Sequence, residues 1–140
     1  MGESKRIADL MTQNPRTVSP DATVVEAATI MRDDDVGLVP VAEGDRLVGT
    51  VTDRDITIRG VAEQRDPSST RVSDIASTDL VTVDPDQSLD EALSLMARHQ
   101  VRRLPVVEED GKVVGILAQA DVARLGDEAK IGEVVEEISQ

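Results

Sequence analysis

The sequence predicts an α/β (α+β) fold in which two similar repeats pack together with pseudo-two-fold symmetry. Each repeat has the order strand, helix, strand, strand, helix. Three observations support this prediction: the chain repeats its own pattern, each half contains one amphipathic helical segment, and each half contains two short β-rich runs separated by a turn. The sheet of one repeat has an apolar face that its own helices leave uncovered, so we expect each repeat to pack against its twin.

The duplication runs in register across both halves. Residues Thr17–Asp21 match Thr82–Asp86 at a spacing of 65 residues. The spacing becomes 66 after the turns, and a hairpin tip is where such a length difference is best tolerated. We therefore interpret the chain as a tandem duplication. Other matched pairs are Met31 with Met96, Pro40 with Pro105, Gly49 with Gly115, and Asp55 with Asp121.

Each half contains a helix that begins at a capping box. Thr23 with Glu26, and Ser88 with Glu91, have the spacing at which a hydroxyl and a glutamate satisfy each other's backbone amides. The apolar residues that follow recur at i, i+3, i+4 and i+7, which is one face of a helix. They are Val24, Ala27, Ala28 and Met31 in the first half, and Leu89, Ala92, Leu93 and Met96 in the second.

Two strands and a second helix follow in each half. A β-rich run, a turn with glycine and a second β-rich run predict a hairpin. Polar residues then open the next helix, at Thr52-Asp53 and at Gln119–Asp121. The predicted strands are Val36–Val41 and Leu47–Val51 in the first half, and Val101–Val107 and Val113–Leu117 in the second.

These patterns predict two domains, over residues 7–62 and 72–125, joined by a polar linker at residues 63–71. Residues 126–140 are predicted to form an amphipathic helical tail that packs on its own domain or on a dimer partner. The apolar face of the tail consists of Ile131, Val134, Val135 and Ile138.

The composition excludes several classes of function. Phe, Trp and Tyr are absent, so a planar ligand must lie between aliphatic side chains. A net charge of −13 opposes binding to nucleic acid or to an anionic membrane surface. With no cysteine and one histidine, no disulfide and no Cys- or His-based zinc cluster is expected within one chain. A secretion signal and a spanning apolar run of about 20 residues are also missing, so we expect a cytoplasmic protein.

The repeated motifs resemble those of the CBS domain (cystathionine-β-synthase domain), and the pair resembles a Bateman module. The resemblance covers residues 7–62 and 72–125. It rests on Thr-Val-x-Pro-Asp, on Val-Pro-Val or Leu-Pro-Val-Val, and on the run Gly49–Asp55. Through Thr52–Ile56 and Val101–Val106 the chain is similar to small stand-alone actinobacterial CBS-pair proteins of the hypoxic response protein type.

The resemblance implies a regulatory module and no enzymatic activity. Such a module binds an adenosine-containing nucleotide (AMP, ADP, ATP or S-adenosylmethionine) in clefts between the repeats and signals to a partner protein, here unidentified. A disc-like homodimer is implied as well, and no cofactor is required beyond the regulatory ligand.

The chemistry of the matched residues fits this ligand. An aspartate at a helix start can accept both ribose hydroxyls, a threonine hydroxyl can bond a phosphate or ribose oxygen, and guanidinium groups match phosphate oxygens. The expected contacts are Thr52, Asp55 and Asp121 for ribose or phosphate oxygens, Thr17, Val18, Thr82 and Val83 for the adenine edge, Leu38, Pro40, Leu104 and Pro105 for the adenine faces, and Arg54, Arg102 and Arg103 for phosphate.

The two halves are not equivalent at these positions. Ala118 replaces the hydroxyl of Thr52, and Ala120 stands opposite Arg54, so the Asp121 site is expected to be weaker or empty. Helix capping also accounts for both aspartates without a ligand. The alternative function is therefore a structural or interaction homodimer whose nucleotide clefts are vestigial.

Metal and catalytic sites are not expected. The run Asp33–Asp35 lacks the twelve-residue loop of a calcium site, and His99 is expected to flank the end of a helix. No nucleophile elbow, P-loop or dinucleotide-binding motif is present, which argues against an unrecognised enzyme.

Overall fold

The computed structural model describes residues 6–123, in which helices and two β-hairpins confirm the predicted mixed fold class. Residues 119–123 are helical, and the predicted tail helix over residues 126–140 lies outside the described residues. The elements are α1 (Ile7–Leu10), β1 (Thr12–Gln13), α2 (Val24–Asp34), β2 (Leu38–Glu43), β3 (Arg46–Thr52), α3 (Asp53–Asp55), a π-helix (Ile56–Val61), α4 (Val72–Ile75), α5 (Leu89–His99), β4 (Arg103–Val107) and β5 (Val113–Ala118).

Two compact units divide the described residues, and each unit takes segments from both repeats. The first unit consists of residues 14–80 and 107–114, and the second of residues 6–13, 81–106 and 115–123. The domain boundaries at residues 62 and 72 stay a prediction.

Local sequence signals account for the two long helices. The capping boxes of Thr23 with Glu26 and of Ser88 with Glu91 are both formed. Each helix has eleven residues and ends at a residue in the left-handed conformation, Asp35 for α2 and Gln100 for α5. The helix bounds therefore follow from side chains within one turn of each end.

The predicted hairpins form the sheets. In the first unit β2 and β3 pair antiparallel, with a register shift between Val41 and Ala42. The other sheet has the strand order β1-β5-β4. The hairpin turns contain Gly44 and Gly111 at φ angles of +63° and +89°, where L side chains are disfavoured. The first strand of each repeat, which the sequence places at Thr17-Val18 and at Thr82-Val83, is reduced to one isolated parallel bridge, from Val18 to Val41 and from Val83 to Val106.

Two short helices that the sequence did not predict each dock on the opposite repeat. In the second unit, the amides of Ile7 and Ala8 in α1 donate to the carbonyls of Gln87 and Pro85, at 3.0 and 2.9 Å. The corresponding bonds in the first unit join Val72 and Ser73 of α4 to Ala22 and Pro20, at 2.7 and 3.0 Å. Matching ion pairs, Arg6–Asp86 at 3.4 Å and Arg71–Asp21 at 3.2 Å, flank these contacts. Each repeat thus receives its starting helix from the other.

The core is aliphatic, as the composition requires. In the first unit, α4 contributes Val72 and Ile75 to the buried cluster, and both side chains have no exposed surface. No helix within residues 6–123 has the length and hydropathy needed to cross a bilayer. The other members of the cluster are Val18, Val24, Ala27, Val39, Val41 and Val51.

Candidate functional site

Asp55 lies where strand β3 passes directly into helix α3. The Thr52 amide donates to Asp55 Oδ2 at 2.9 Å, and the Asp55 amide donates to Thr52 Oγ1 at 3.1 Å. Thr52 is therefore the N-cap, and Asp55 is the third residue of the helix in a reciprocal capping box. Both groups are partly buried, so the carboxylate is held in one orientation at the surface of the first unit.

Ser77 lies beside Asp55, a neighbour that sequence reasoning missed. The Ser77 hydroxyl donates to Asp55 Oδ1 over a long 3.5 Å contact. Ser77 is fixed by two backbone bonds to Thr50, of 2.9 and 2.8 Å. Gly49 allows this approach, because a Cβ there would lie 3.1 Å from the Ser77 carbonyl oxygen. The sequence did contain a sign of this residue, because Thr12, the equivalent of Ser77 in the first repeat, also has a hydroxyl. Thr12 pairs with Ile116 of β5.

A π-helix continues directly from α3 and carries Arg59 back toward α4. The Arg59 guanidinium donates to the carbonyl oxygens of Ile75 and Ala76, each at 3.3 Å. These carbonyls lie at the C-terminal end of α4, where cationic groups are favourable. Through Arg59 and Ser77, the Asp55 region is connected to the segment 75–77 at two points.

The predicted adenine-binding residues of the first unit lie on and beside β2. The Val18 amide donates to the Pro40 carbonyl at 3.0 Å, and the Val18 carbonyl accepts from Ala42 at 2.9 Å. The Val18 N–H is therefore used by the sheet, although its carbonyl keeps a second lone pair. Thr17 is exposed, whereas Leu38 and Pro40 are buried.

The segment that leads into Thr17 is clamped to the end of α2. Arg16 makes a bidentate ion pair with Asp34, with distances of 2.8 and 2.9 Å. This hydrogen-bonded pairing lowers the pKa of Asp34 and raises the pKa of Arg16. The second repeat has no such clamp, because Val81 and His99 occupy the equivalent positions.

Asp121 occupies the equivalent place in the second unit, where the capping box lacks its hydroxyl. The Ala118 amide donates to Asp121 Oδ2 at 3.2 Å, and Ala118 has no hydroxyl to return the bond. The Gln119 amide donates to the Arg102 carbonyl at 2.7 Å, which places the strand entry beside the helix start. Arg102 is exposed and Arg103 is half-buried.

The remaining predicted residues of the second unit are interior or partly buried. The Val83 amide donates to the Pro105 carbonyl at 3.1 Å, as the Val18 amide does to Pro40. Leu104 is fully buried and matches the equally buried Val39, so it is a core residue in this structure. Its role as a wall for adenine stays a prediction.

The structure thus divides the predicted site residues equally between the two units. The first unit holds Thr17, Val18, Leu38, Pro40, Thr52, Arg54 and Asp55, and the second holds Thr82, Val83, Arg102, Arg103, Leu104, Pro105 and Asp121.

Comparison with known proteins decides the family. The family model of the CBS domain matches residues 7–60 and 72–128. The chain belongs to the CBS domain family. It contains two CBS domains, and the resemblance drawn from the repeated motifs is confirmed.

Small CBS-pair proteins are similar to the chain over most of their own length. The CBS domain-containing protein YhcV of Bacillus subtilis is 47% identical over 117 residues, which cover 84% of this chain and 82% of YhcV. Hypoxic response protein 1 of Mycobacterium tuberculosis is 39% identical over 131 residues, which cover 93% of this chain and 91% of the relative.

Solved CBS structures share the fold. The CBS domain protein PAE2072 from Pyrobaculum aerophilum, complexed with AMP, has a TM-score of 0.77 and 31% identity, over 84% of this chain and 89% of that chain. The structure of hypoxic response protein I with two coordinated zinc ions also has a TM-score of 0.77, with 39% identity, over 86% of this chain and 98% of that chain.

The zinc ions of that relative do not fit the residues of this CBS pair. The chain has no cysteine and one histidine. Among residues 6–123, no three His, Cys, Asp or Glu side chains are grouped so that they could hold a metal ion. Zinc sites in proteins are built mainly from thiolate and imidazole ligands, and one chain of this protein does not supply such a set.

Proposed function

We propose that this CBS pair is a regulatory protein that binds an adenosine-containing nucleotide and passes the signal to a partner protein. The candidate ligands are AMP, ADP, ATP and S-adenosylmethionine. The observation that carries the proposal is the Asp55 carboxylate, whose Oδ2 is held by the Thr52 amide while Oδ1 has only the long Ser77 contact. A carboxylate oxygen oriented in this way can accept a ribose hydroxyl.

The neighbours of Asp55 fit the rest of such a ligand. The hydroxyls of Thr52 and Ser77 flank the carboxylate, and the exposed Arg54 adds a guanidinium group at the helix start. The AMP complex of PAE2072 supports the same ligand class, because that protein is 31% identical to this chain and shares its fold.

A nucleotide at Asp55 has a direct route to the rest of the first unit. A ribose hydroxyl that donates to Asp55 Oδ1 either replaces the Ser77 hydroxyl there or binds beside it. Ser77 is in turn paired with Thr50 through its backbone. The segment 75–77 also receives Arg59. The size of any regulatory effect is limited by how much more tightly the ligand binds one conformation of the protein than another.

Calorimetric titration of the full chain with the four nucleotides tests the proposal. We expect at least one of them to bind below millimolar concentration, and Asp55→Ala to weaken that binding at least tenfold. Asp74→Ala is the matched control, since Asp74 has the same capping-box role in α4 of the same unit. Loss of binding in both variants, or in neither, contradicts the assignment to Asp55.

The alternative is a structural or interaction protein whose nucleotide sites are vestigial. The observation that favours it is the complete capping box of Thr52 and Asp55, which explains both residues without a ligand, together with Ala118 in the second repeat. If none of the four nucleotides binds below millimolar concentration, this alternative replaces the sensor.

We also propose that the protein acts as a homodimer in the cytoplasm. Ile58 and Val61 support a self-association surface, since these π-helix side chains are 45% and 68% exposed although apolar. Light scattering coupled to gel filtration tests this: Val61→Glu should shift the protein toward the monomer, whereas Glu63→Gln, a nearby exposed change, should not. A wild-type monomer at every concentration contradicts the dimer.

A further inference from the structure

The corner between the long helix and the next strand has opposite charge in the two repeats. In the first repeat this corner is residues 33–38, Asp-Asp-Asp-Val-Gly-Leu, and in the second it is residues 98–103, Arg-His-Gln-Val-Arg-Arg. The two segments are equivalent at the 65-residue spacing, and only one position, Val36 and Val101, has the same residue type in both. Duplication has therefore kept the backbone arrangement while the side-chain charge is inverted.

Each corner touches the start of the helix that carries the candidate ribose-binding aspartate. The Gly37 carbonyl accepts the Asp53 amide at 3.1 Å in the first unit. The Arg102 carbonyl accepts the Gln119 amide at 2.7 Å in the second. Asp53 and Gln119 lie two residues before Asp55 and Asp121, so the backbone of each corner is joined directly to the start of the helix that carries the aspartate.

Local ion pairs reduce the first corner's charge without reversing it. Asp34 is paired with Arg16, and Asp33 with Arg32 at 2.9 Å, which leaves the charge of Asp35. The second corner has three arginines and no carboxylate, and Val81 and Ala97 stand where the first repeat has Arg16 and Arg32. The helix starts do not cancel this difference in charge between the corners. Asp53 and Arg54 together are neutral in the first repeat, and Gln119 and Ala120 are neutral in the second.

We propose that the two sites bind adenosine ligands of different charge. The second-unit site, around Asp121 and Arg102, binds a nucleoside di- or triphosphate. The first-unit site, around Asp55, binds a ligand with at most one phosphate, a class that includes AMP and the cationic S-adenosylmethionine. The proposal rests on the proposed nucleotide-binding function, and it assigns a ligand to the site that the sequence predicted to be weaker or empty.

Guanidinium chemistry accounts for this division. Arginine binds phosphate oxygens through two parallel hydrogen bonds, and each further phosphate adds negative charge for the exposed Arg102 to attract. Ala118 removes one contact to the ribose end, so the second site depends more on the phosphate chain. The first corner has no arginine and keeps the negative charge of Asp35, so it does not favour a phosphate chain in the same way.

Site-specific variants of the full chain separate the two ligands. Calorimetry with ATP and with AMP is carried out on wild type, Asp55→Ala and Asp121→Ala. We expect Asp121→Ala to weaken ATP at least tenfold and AMP less than twofold, with the reverse pattern for Asp55→Ala. ATP binding that is lost in Asp55→Ala but kept in Asp121→Ala overturns the proposal.

Arg102→Gln tests the charge argument without touching an aspartate or a core residue. ATP should bind at least tenfold more weakly, with a smaller dependence on salt concentration, while AMP binding should change less than twofold. Arg65→Gln is the matched control, since it removes the same charge from an exposed position in the linker. Equal effects of the two variants, or no effect of Arg102→Gln, overturn the proposal.

These outcomes distinguish the proposal from the function on which it rests. AMP binding at Asp55 without stronger ATP binding at Asp121 overturns the division of ligands and leaves the nucleotide sensor intact. Absence of binding for all four nucleotides overturns both. Thermal unfolding of each variant, compared with wild type, shows whether a lost affinity reflects a lost fold.

Discussion

The Thr52 amide donates to the Asp55 carboxylate at 2.9 Å, and the Asp55 amide donates back to the Thr52 hydroxyl at 3.1 Å. In the second repeat only the first of these bonds is present, from the Ala118 amide to Asp121 at 3.2 Å. The two repeats therefore provide a complete and an incomplete capping box at equivalent places of one chain.

Thr52→Ala should lower the free energy of unfolding by about 1 kcal/mol, because an N-cap hydroxyl bond to the backbone is lost. Urea denaturation measures the change, and Thr52→Ser, which keeps the hydroxyl, should stay close to wild type. Thr52→Ala with unchanged stability would show that the box contributes nothing.

Gly115→Ala should destabilise the protein by about 1–3 kcal/mol, since a Cβ would lie 2.9 Å from Met11 Cγ and 3.0 Å from the Thr12 carbonyl oxygen. The double variant Gly115→Ala/Met11→Ala should recover part of this loss, because the side-chain clash is removed. Urea denaturation of the single and double variants measures both effects. If the double variant loses the sum of the stabilities that the two single variants lose, the predicted clash between the new Cβ and Met11 is contradicted.

Asp35→Gly and Gln100→Gly should each stabilise the protein by about 0.5–1 kcal/mol. Both residues end a helix in the left-handed conformation, at φ angles of +56° and +57°, which costs an L residue more than glycine. Ala97→Gly, an exposed change inside α5, is the control and should destabilise by about 1 kcal/mol. Thermal and urea unfolding should agree on these signs.

Glu91 should make stability depend on acid pH. Hydrogen bonds from the Ser88 amide, the Gln87 side chain and the Ser88 hydroxyl lower the pKa of Glu91 in the folded protein. Because the folded-state pKa is below the unfolded one, this stabilisation is complete above the ordinary glutamate pKa of about 4.3 and is lost as pH falls through the folded-state pKa.

Glu91→Gln should therefore have a lower Tm than wild type at pH 6, and the difference should close below pH of about 4. Thermal unfolding between pH 6 and pH 2.5 measures it. Asp90→Asn removes one charge from the same helical turn and serves as the control. A constant Tm difference across this range would contradict the linkage to Glu91.

The parts of the fold that local sequence determines were predictable. Helices α2 and α5 follow from capping boxes and apolar spacing, and the hairpins follow from β-rich runs around Gly44 and Gly111. Helix α1 was not predicted, because four residues have little intrinsic helix stability and its amides are satisfied by Pro85 and Gln87, far along the chain. The strand at Val18 shortened to one bridge for a similar reason, since its length depends on pairing with β2.

In the candidate site too, residues that are close in the sequence were predictable and residues that are far apart were not. Thr52 and Asp55 lie in one motif, so the sequence identified both as candidates, but their bonds to each other were not predicted. Ser77 lies 22 residues from Asp55, and only the pairing of Thr50 with Ser77 brings the two side chains together. The inverted charge of the corners was visible in the sequence, but its position beside the helix starts required the Gly37 and Arg102 carbonyl bonds.

The exchanged starting helices have a consequence for how such a chain can arise. A gene encoding a single repeat would give a protein whose first helix finds its docking site only on another molecule, so two copies would complete each other by segment swapping. Fusing the two copies turns this concentration-dependent association into an intramolecular one with a fixed, high effective concentration. From then on the two halves are free to diverge in charge, because neither has to match an identical copy of itself.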